Sequence, residues 1–147
     1  MIGCIVTGHG EFAIGMTQAL TMIAGDQEHY EVVPFYEENS LETFEDNIGK
    51  SIASLRQNTD GVIIFTDLMG GTPFRTAMMQ ASEYDKVEVI TGTNLPMLIE
   101  IGLGRIYSED VEALAVQAVQ VGMQGVQHPK LPVVADEKEN ESELEGI

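Results

Sequence analysis

The sequence predicts an α/β domain with a doubly wound, mainly parallel sheet and helices on both faces. Three observations carry this expectation. Short apolar runs alternate four times with stretches of helical periodicity, the pattern of βα units. One of those runs, "GVIIFTD" at 61–67, has four apolar residues in succession, which suits a parallel strand covered on both sides. The 147 residues contain no internal repeat or interdomain linker, and that length suits one domain.

Taken in order, Ile2–Val6 reads as the first strand and stops at Thr7-Gly8-His9-Gly10. Phe12, Met16, Leu20 and Ile23 then recur at helical spacing as far as Gly25. "YEVVPF", 30–35, is a second strand, and Pro34 assigns it to an edge, because proline cannot donate to a central ladder. Asn39 with Glu42 resembles a capping box, with Ser40 as a competing cap. Leu41, Phe44, Ile48, Ile52 and Leu55 supply the buried face of the helix that follows. After the third strand at 61–67, Thr72 and Pro73 read as N-cap and first residue of a helix running to about Ser82. "KVEVIT", 86–91, is the fourth strand. A short helix covers Leu95–Leu103, and a longer one runs from Ser108 to Gln124. A last strand is expected within 125–134, where the pattern is weakest.

Charge and composition exclude whole classes of function. Seven Lys and Arg stand against 24 acids, a net charge of −17, so no basic stripe can track nucleic-acid phosphates. An apolar fraction of 44% and a mean hydropathy of +0.01 describe a globular chain. No run approaches the roughly 20 apolar residues of a membrane helix, and the first residues lack the pattern of a signal peptide. The lone cysteine, Cys4, lies inside the first strand and reads as a packing residue. A reducing cytoplasm is the expected setting. "ADEKENESELEGI", 135–147, holds six acids and one Lys and reads as a solvated, disordered tail. The expected division is a domain at 1–130 and an acidic tail at 131–147.

In an open parallel sheet, ligands bind outside the carboxyl ends of the strands where the strand order reverses. A central first strand flanked by the second and third would put His9 and Asp67 at that point. The other histidines, His29 and His128, fall before the second strand and in the weak C-terminal segment, and both are expected at the surface. "DLMGGTPF", 67–74, supplies Gly70 and Gly71 with bare amides, the Thr72 hydroxyl, and a helix N-terminus, which together can cradle an anion. No Gly-Lys-Ser/Thr follows, so this is not a Walker A loop. A carboxylate that accepts a proton from one ring nitrogen of a histidine frees the other as a nucleophile. His9 and Asp67 are therefore the candidate catalytic pair, and Gly70, Gly71 and Thr72 the candidate phosphate-binding turn. A purely structural His–Asp pair is the bland alternative. Nothing in the sequence points to a metal or a cofactor.

"GHGEFA", "DLMGGTPF" and "TGTNLPML", in this order, resemble the IIA component of the mannose family of the bacterial sugar phosphotransferase system. The likeness covers about residues 1–126. It implies that His9 receives a phosphoryl group from the phosphocarrier HPr and passes it to a IIB component. A membrane sugar permease would be served only indirectly. By position, Asp67 matches the carboxylate supporting the histidine, and Thr72 a hydroxyl residue of the phosphate-binding turn. The family fold implies a homodimer in which an antiparallel edge strand is exchanged. Some members continue into a IIB domain, whereas this chain ends in an acidic tail, so the IIB component is expected on a separate chain. The sugar itself cannot be read.

Two other classes share the fold. A response-regulator receiver would be phosphorylated on Asp67, but it needs an acidic pair after the first strand, where Gly8-His9-Gly10 stands, and a late lysine, for which Lys130 is a poor candidate. A small-molecule binding module, for flavin for example, would want aromatic loops, and the chain has no Trp.

Overall fold

β1 (Gly3–His9) lies at the centre of a four-stranded sheet in a computed structural model that describes residues 1–133. The other strands are β2 (Tyr30–Phe35), β3 (Val62–Phe65) and β4 (Val87–Ile90). Their order is β2-β1-β3-β4 and every pairing is parallel. The chain leaves β1 toward β2 on one side and returns to β3 on the other. That reversal is the switch point anticipated beside His9.

Among the described residues five helices cover the sheet: α1 (Phe12–Ala24), α2 (Leu41–Arg56), α3 (Thr72–Ala81), α4 (Leu95–Gly104) and α5 (Val111–Gln124). Alternation along β1 divides them between two cores. Cys4 and Val6 point to the face carrying Leu20 of α1, Leu98 and Ile101 of α4, and Leu114 and Ala118 of α5. Ile5 points to the opposite face, against Phe44, Ile48 and Ile52 of α2 and Ala77 of α3. The four β3 residues are all fully buried, as a strand with helices on both sides requires.

Several boundaries differ from the sequence reading, each for a physical reason. β1 continues past Val6 to His9, because Thr7, Gly8 and His9 find partners in Val33, Pro34 and Phe35. A central strand with a complete ladder on one side does not stop at a glycine. Ser40, rather than Asn39, caps α2, its Oγ accepting from the Thr43 amide at 3.1 Å, so the Asn39–Glu42 box does not form. Gly71, rather than Thr72, caps α3, which makes Thr72 the first helical residue and Pro73 the second. α5 begins at Val111 and not at Ser108. Asp110 accepts from the Ala113 amide at 3.0 Å, and a single tight turn at Arg105–Tyr107 precedes it. No strand occurs in residues 125–133, which extend away exposed with no ladder to join within one chain. The acidic stretch from 134 onward lies outside the described residues.

The amino-terminal end of the sheet is held by one buried cation. Arg105, 1% exposed, donates through Nη1 to the carbonyls of Ile2 at 2.9 Å and His29 at 3.2 Å. Its Nη2 donates to Gln27 Oε1 at 3.2 Å and to the Glu28 carbonyl. One planar fork thus fixes the start of β1 and the loop into β2. Replacing it with Met keeps the aliphatic stem but removes the donor to the Ile2 and Glu28 carbonyls and to Gln27, while the His29 carbonyl keeps the Cys4 N–H at 3.0 Å, so Arg105→Met should lose about 2–4 kcal/mol of stability. Arg105→Lys should recover only part, since an ammonium lacks the fork. Denaturant unfolding of the three proteins would measure this, and equal midpoints would reduce Arg105 to a filler.

Candidate functional site

The extension of β1 makes His9 the last residue of the central strand rather than part of a loose turn. Its backbone is therefore fixed by the sheet while its side chain emerges at the end, 49% exposed. Asp67, two residues beyond the end of β3, reaches across with only 13% of its side chain exposed. A single oxygen, Oδ2, accepts both the His9 backbone N–H at 2.9 Å and a bond from the ring at Nδ1, 2.7 Å away. An ionised carboxylate only accepts, so the ring proton belongs on Nδ1 and Nε2 keeps its lone pair. Partial burial pushes the Asp67 carboxyl up. The His9 backbone N–H, the His9 ring and the Leu68 N–H together outweigh that, and the group stays ionised below the usual carboxylate range.

The glycines around this pair are required by close approach. A Cβ on Gly8 would sit 2.5 Å from Phe12 Cδ1 and 3.1 Å from the Asp67 carboxyl carbon. A Cβ on Gly71 would sit 2.9 Å from His9 Cε1 and 3.6 Å from Nε2. The Gly-Gly turn therefore lies directly against the open edge of the imidazole, which is where a group bonded to Nε2 would come. Gly70, with φ 79°, turns the chain there.

The turn differs in one respect from the expected cradle. The Gly71 N–H is already used, donating to the Leu68 carbonyl at 3.2 Å to close the turn. The amides of the first turn of α3 lack intrahelical acceptors by geometry, and Pro73 brings none, so Thr72 and Phe74 supply the free donors. These, with the Thr72 hydroxyl and the positive end of the helix, can serve an anion that the occupied Gly71 amide cannot.

The sequence reading missed the residues that steady the imidazole from the other side. Phe35 meets the His9 ring edge-to-face at 5.9 Å and 80°, and is itself backed by Phe44 at 4.9 Å. Aligning the carboxyl ends of the first two predicted strands would have found it, because Phe35 is the register partner of His9. Tyr36 Oη donates to Glu11 Oε1 at 2.9 Å, tying the exit of β2 to the entrance of α1. The remaining candidates lie elsewhere. His29 sits at the opposite end of the sheet, its carbonyl held by Arg105, and His128 and Lys130 are in the exposed segment after α5. Cys4 is buried, and burial pushes its thiol up to about 12 despite the nearby Arg105 guanidinium, which leaves it inert. Among the described residues no group of three or more His, Cys, Asp or Glu is placed to hold a metal ion, and no helix is long and apolar enough to cross a membrane.

Fold and site together define a class: an open parallel α/β domain that presents one carboxylate-oriented histidine at its switch point. Residues 3–119 match the family EIIA-man, described as "PTS system fructose IIA component", and the chain belongs to that family. Its members are phosphotransferases that carry phosphoryl groups in sugar uptake. The chain is 29% identical to the fructose-specific EIIA component of Bacillus subtilis (strain 168), over 69% of this chain and 68% of that protein. It is 30% identical to the mannose-specific EIIAB component of Escherichia coli (strain K12), over 85% of this chain but only 38% of that longer protein. Among solved structures, the mannose/sorbose specific IIA subunit from Enterococcus faecalis superposes with a TM-score of 0.80 at 28% identity, covering 90% of this chain and 98% of that one.

Proposed function

We propose that this chain carries phosphoryl groups for a sugar phosphotransferase system on His9, taking them from HPr and passing them to a IIB component. The observation that supports this most strongly is the 2.7 Å bond between Nδ1 and Asp67 on a ring that is half exposed. It leaves Nε2 as the nucleophile and directs it outward, toward the space bounded by Gly71 and the first turn of α3. The Nε2 lone pair attacks the phosphorus of the donor's phosphohistidine. As the new N–P bond forms, the old one breaks and its electron pair returns to the donor imidazole. Phosphorylated His9 keeps its Nδ1 proton, and Asp67 stabilises the positive charge of the ring. Passing the group to the IIB component runs the same step in the other direction. The exchange is nearly balanced in energy, so positioning and charge suffice and no separate acid is needed.

Residues 1–130 form the working domain in this account. The homodimer with an exchanged antiparallel edge strand belongs to the same proposal. β4 is an outer strand of the sheet, and the exposed segment after α5 carries Val126, Leu131 and Val133 at 79%, 86% and 86% exposure. Apolar side chains so placed suit an edge supplied by a second copy.

The chemistry of the modified group tests the assignment. After incubation with phosphorylated HPr, the label should survive alkali and be lost in acid, as a phosphoramidate on an imidazole is. Release by alkali would mean an acyl phosphate on Asp67 and the receiver reading.

A further inference from the structure

Asp67 must hold two donors on one oxygen, yet the ladder beside it ends early. The pairing of β1 with β3 stops at Val6 and Phe65, short of both His9 and Asp67. The constraint comes from the far side, where β3 meets β4. Thr66, fully buried, donates both its backbone N–H and its hydroxyl to the Ile90 carbonyl, each at 2.8 Å. Thr93, 7% exposed, donates its hydroxyl at 2.8 Å and its N–H at 3.2 Å to the Thr66 carbonyl. That carbonyl belongs to the peptide joining Thr66 to Asp67. The Thr66 hydroxyl thus doubles the last β3–β4 contact, and the Thr93 hydroxyl extends the pairing to the peptide plane from which the Asp67 side chain springs.

We propose that Thr93, together with Thr66, is a positioning residue for phosphoryl transfer at His9, fixing the Asp67 backbone so that its carboxylate meets both His9 donors. The inference rests on the reading of His9 as acceptor. A peptide plane held by two donors cannot rock. With one donor it can, and a small rotation there swings Oδ2 off the line between the backbone N–H and Nδ1. Each threonine hydroxyl is spent on a backbone carbonyl and not on the imidazole, so the effect passes through Asp67.

The test compares Thr93→Val, nearly isosteric but without the hydroxyl, with Thr93→Ser, which keeps it. Two readouts are taken: the rate of labelling by phosphorylated HPr, and the nitrogen NMR signature of the His9 ring without any donor. Thr93→Val should be labelled about tenfold more slowly, the cost of one well-made hydrogen bond, with its ring proton shifted from Nδ1 toward Nε2. Thr93→Ser should stay within about twofold of the parent on the same scale. A Thr93→Val protein with parental rate and ring signature would overturn the proposal. So would a Thr93→Ser protein as slow as Thr93→Val, since methyl packing would then carry the effect. If Thr93→Val does not fold, Thr93→Ala removes the same hydroxyl without adding bulk and is judged on the same two readouts. Failure of the His9 reading itself is separately visible, as a label retained by His9→Ala whichever residue occupies position 93.

Discussion

A His9→Ala protein should fold normally and take no phosphoryl group from phosphorylated HPr. The expected loss is complete or at least on the order of 10³-fold, because removing a nucleophile removes the bond-forming step and not merely part of its stabilisation. Folding should survive because the ring is 49% exposed and its one strong contact is with Asp67. The Asp67 oxygen keeps the His9 backbone N–H as a donor after the substitution. His29→Ala and His128→Ala should label at the parental rate, since one lies at the opposite end of the sheet and the other in the exposed segment beyond α5. Labelling kinetics of the three variants, with circular dichroism to establish folding, check the prediction.

Asp67→Asn should slow transfer by about 10²-fold or more, the usual cost of losing one preorganised electrostatic partner. The substitution preserves size and leaves an oxygen to accept from His9, but it removes the charge opposite the phosphorylated ring. Stopped-flow transfer from phosphorylated HPr measures it, and an unchanged rate would leave Asp67 with a structural role only. The same variant has an acid signature. The Asp67 carboxyl is lowered from 3.8 in the folded protein, so the stability it contributes is present above that value. It is lost as pH falls through the lower folded value. The parent should therefore lose stability in that acid range, while Asp67→Asn should lack this component of the loss.

Much of this architecture was legible because hydrophobic pattern decides it. The four apolar residues in succession within 61–67 suited a strand covered on both faces, and Val62–Phe65 is that strand. His9 and Asp67 were legible as a pair because alternating elements imply a parallel sheet, and a central first strand, as the order β2-β1-β3-β4 has it, brings their ends together. What escaped depends on competition between close alternatives. Asn39 and Ser40 are both good caps, and only the path of the chain chose Ser40. Gly8 looked like a strand stop, but its neighbours pair with β2 and the strand runs on to His9. The Gly71 amide looked free until the turn closed on Leu68. Thr66 and Thr93 were invisible as partners, since a threonine near a strand end signals β-propensity and nothing about which carbonyl its hydroxyl will find.

The central claim is that the phosphoryl group is carried on Nε2 of His9 while Nδ1 remains bonded to Asp67. Phosphorus–nitrogen coupling in the NMR spectrum of the phosphorylated, nitrogen-labelled protein tests it most directly. The account predicts one coupled ring nitrogen, assigned to Nε2 of His9, with the proton retained on Nδ1. Coupling to Nδ1, or to a ring nitrogen of His29 or His128, would contradict it.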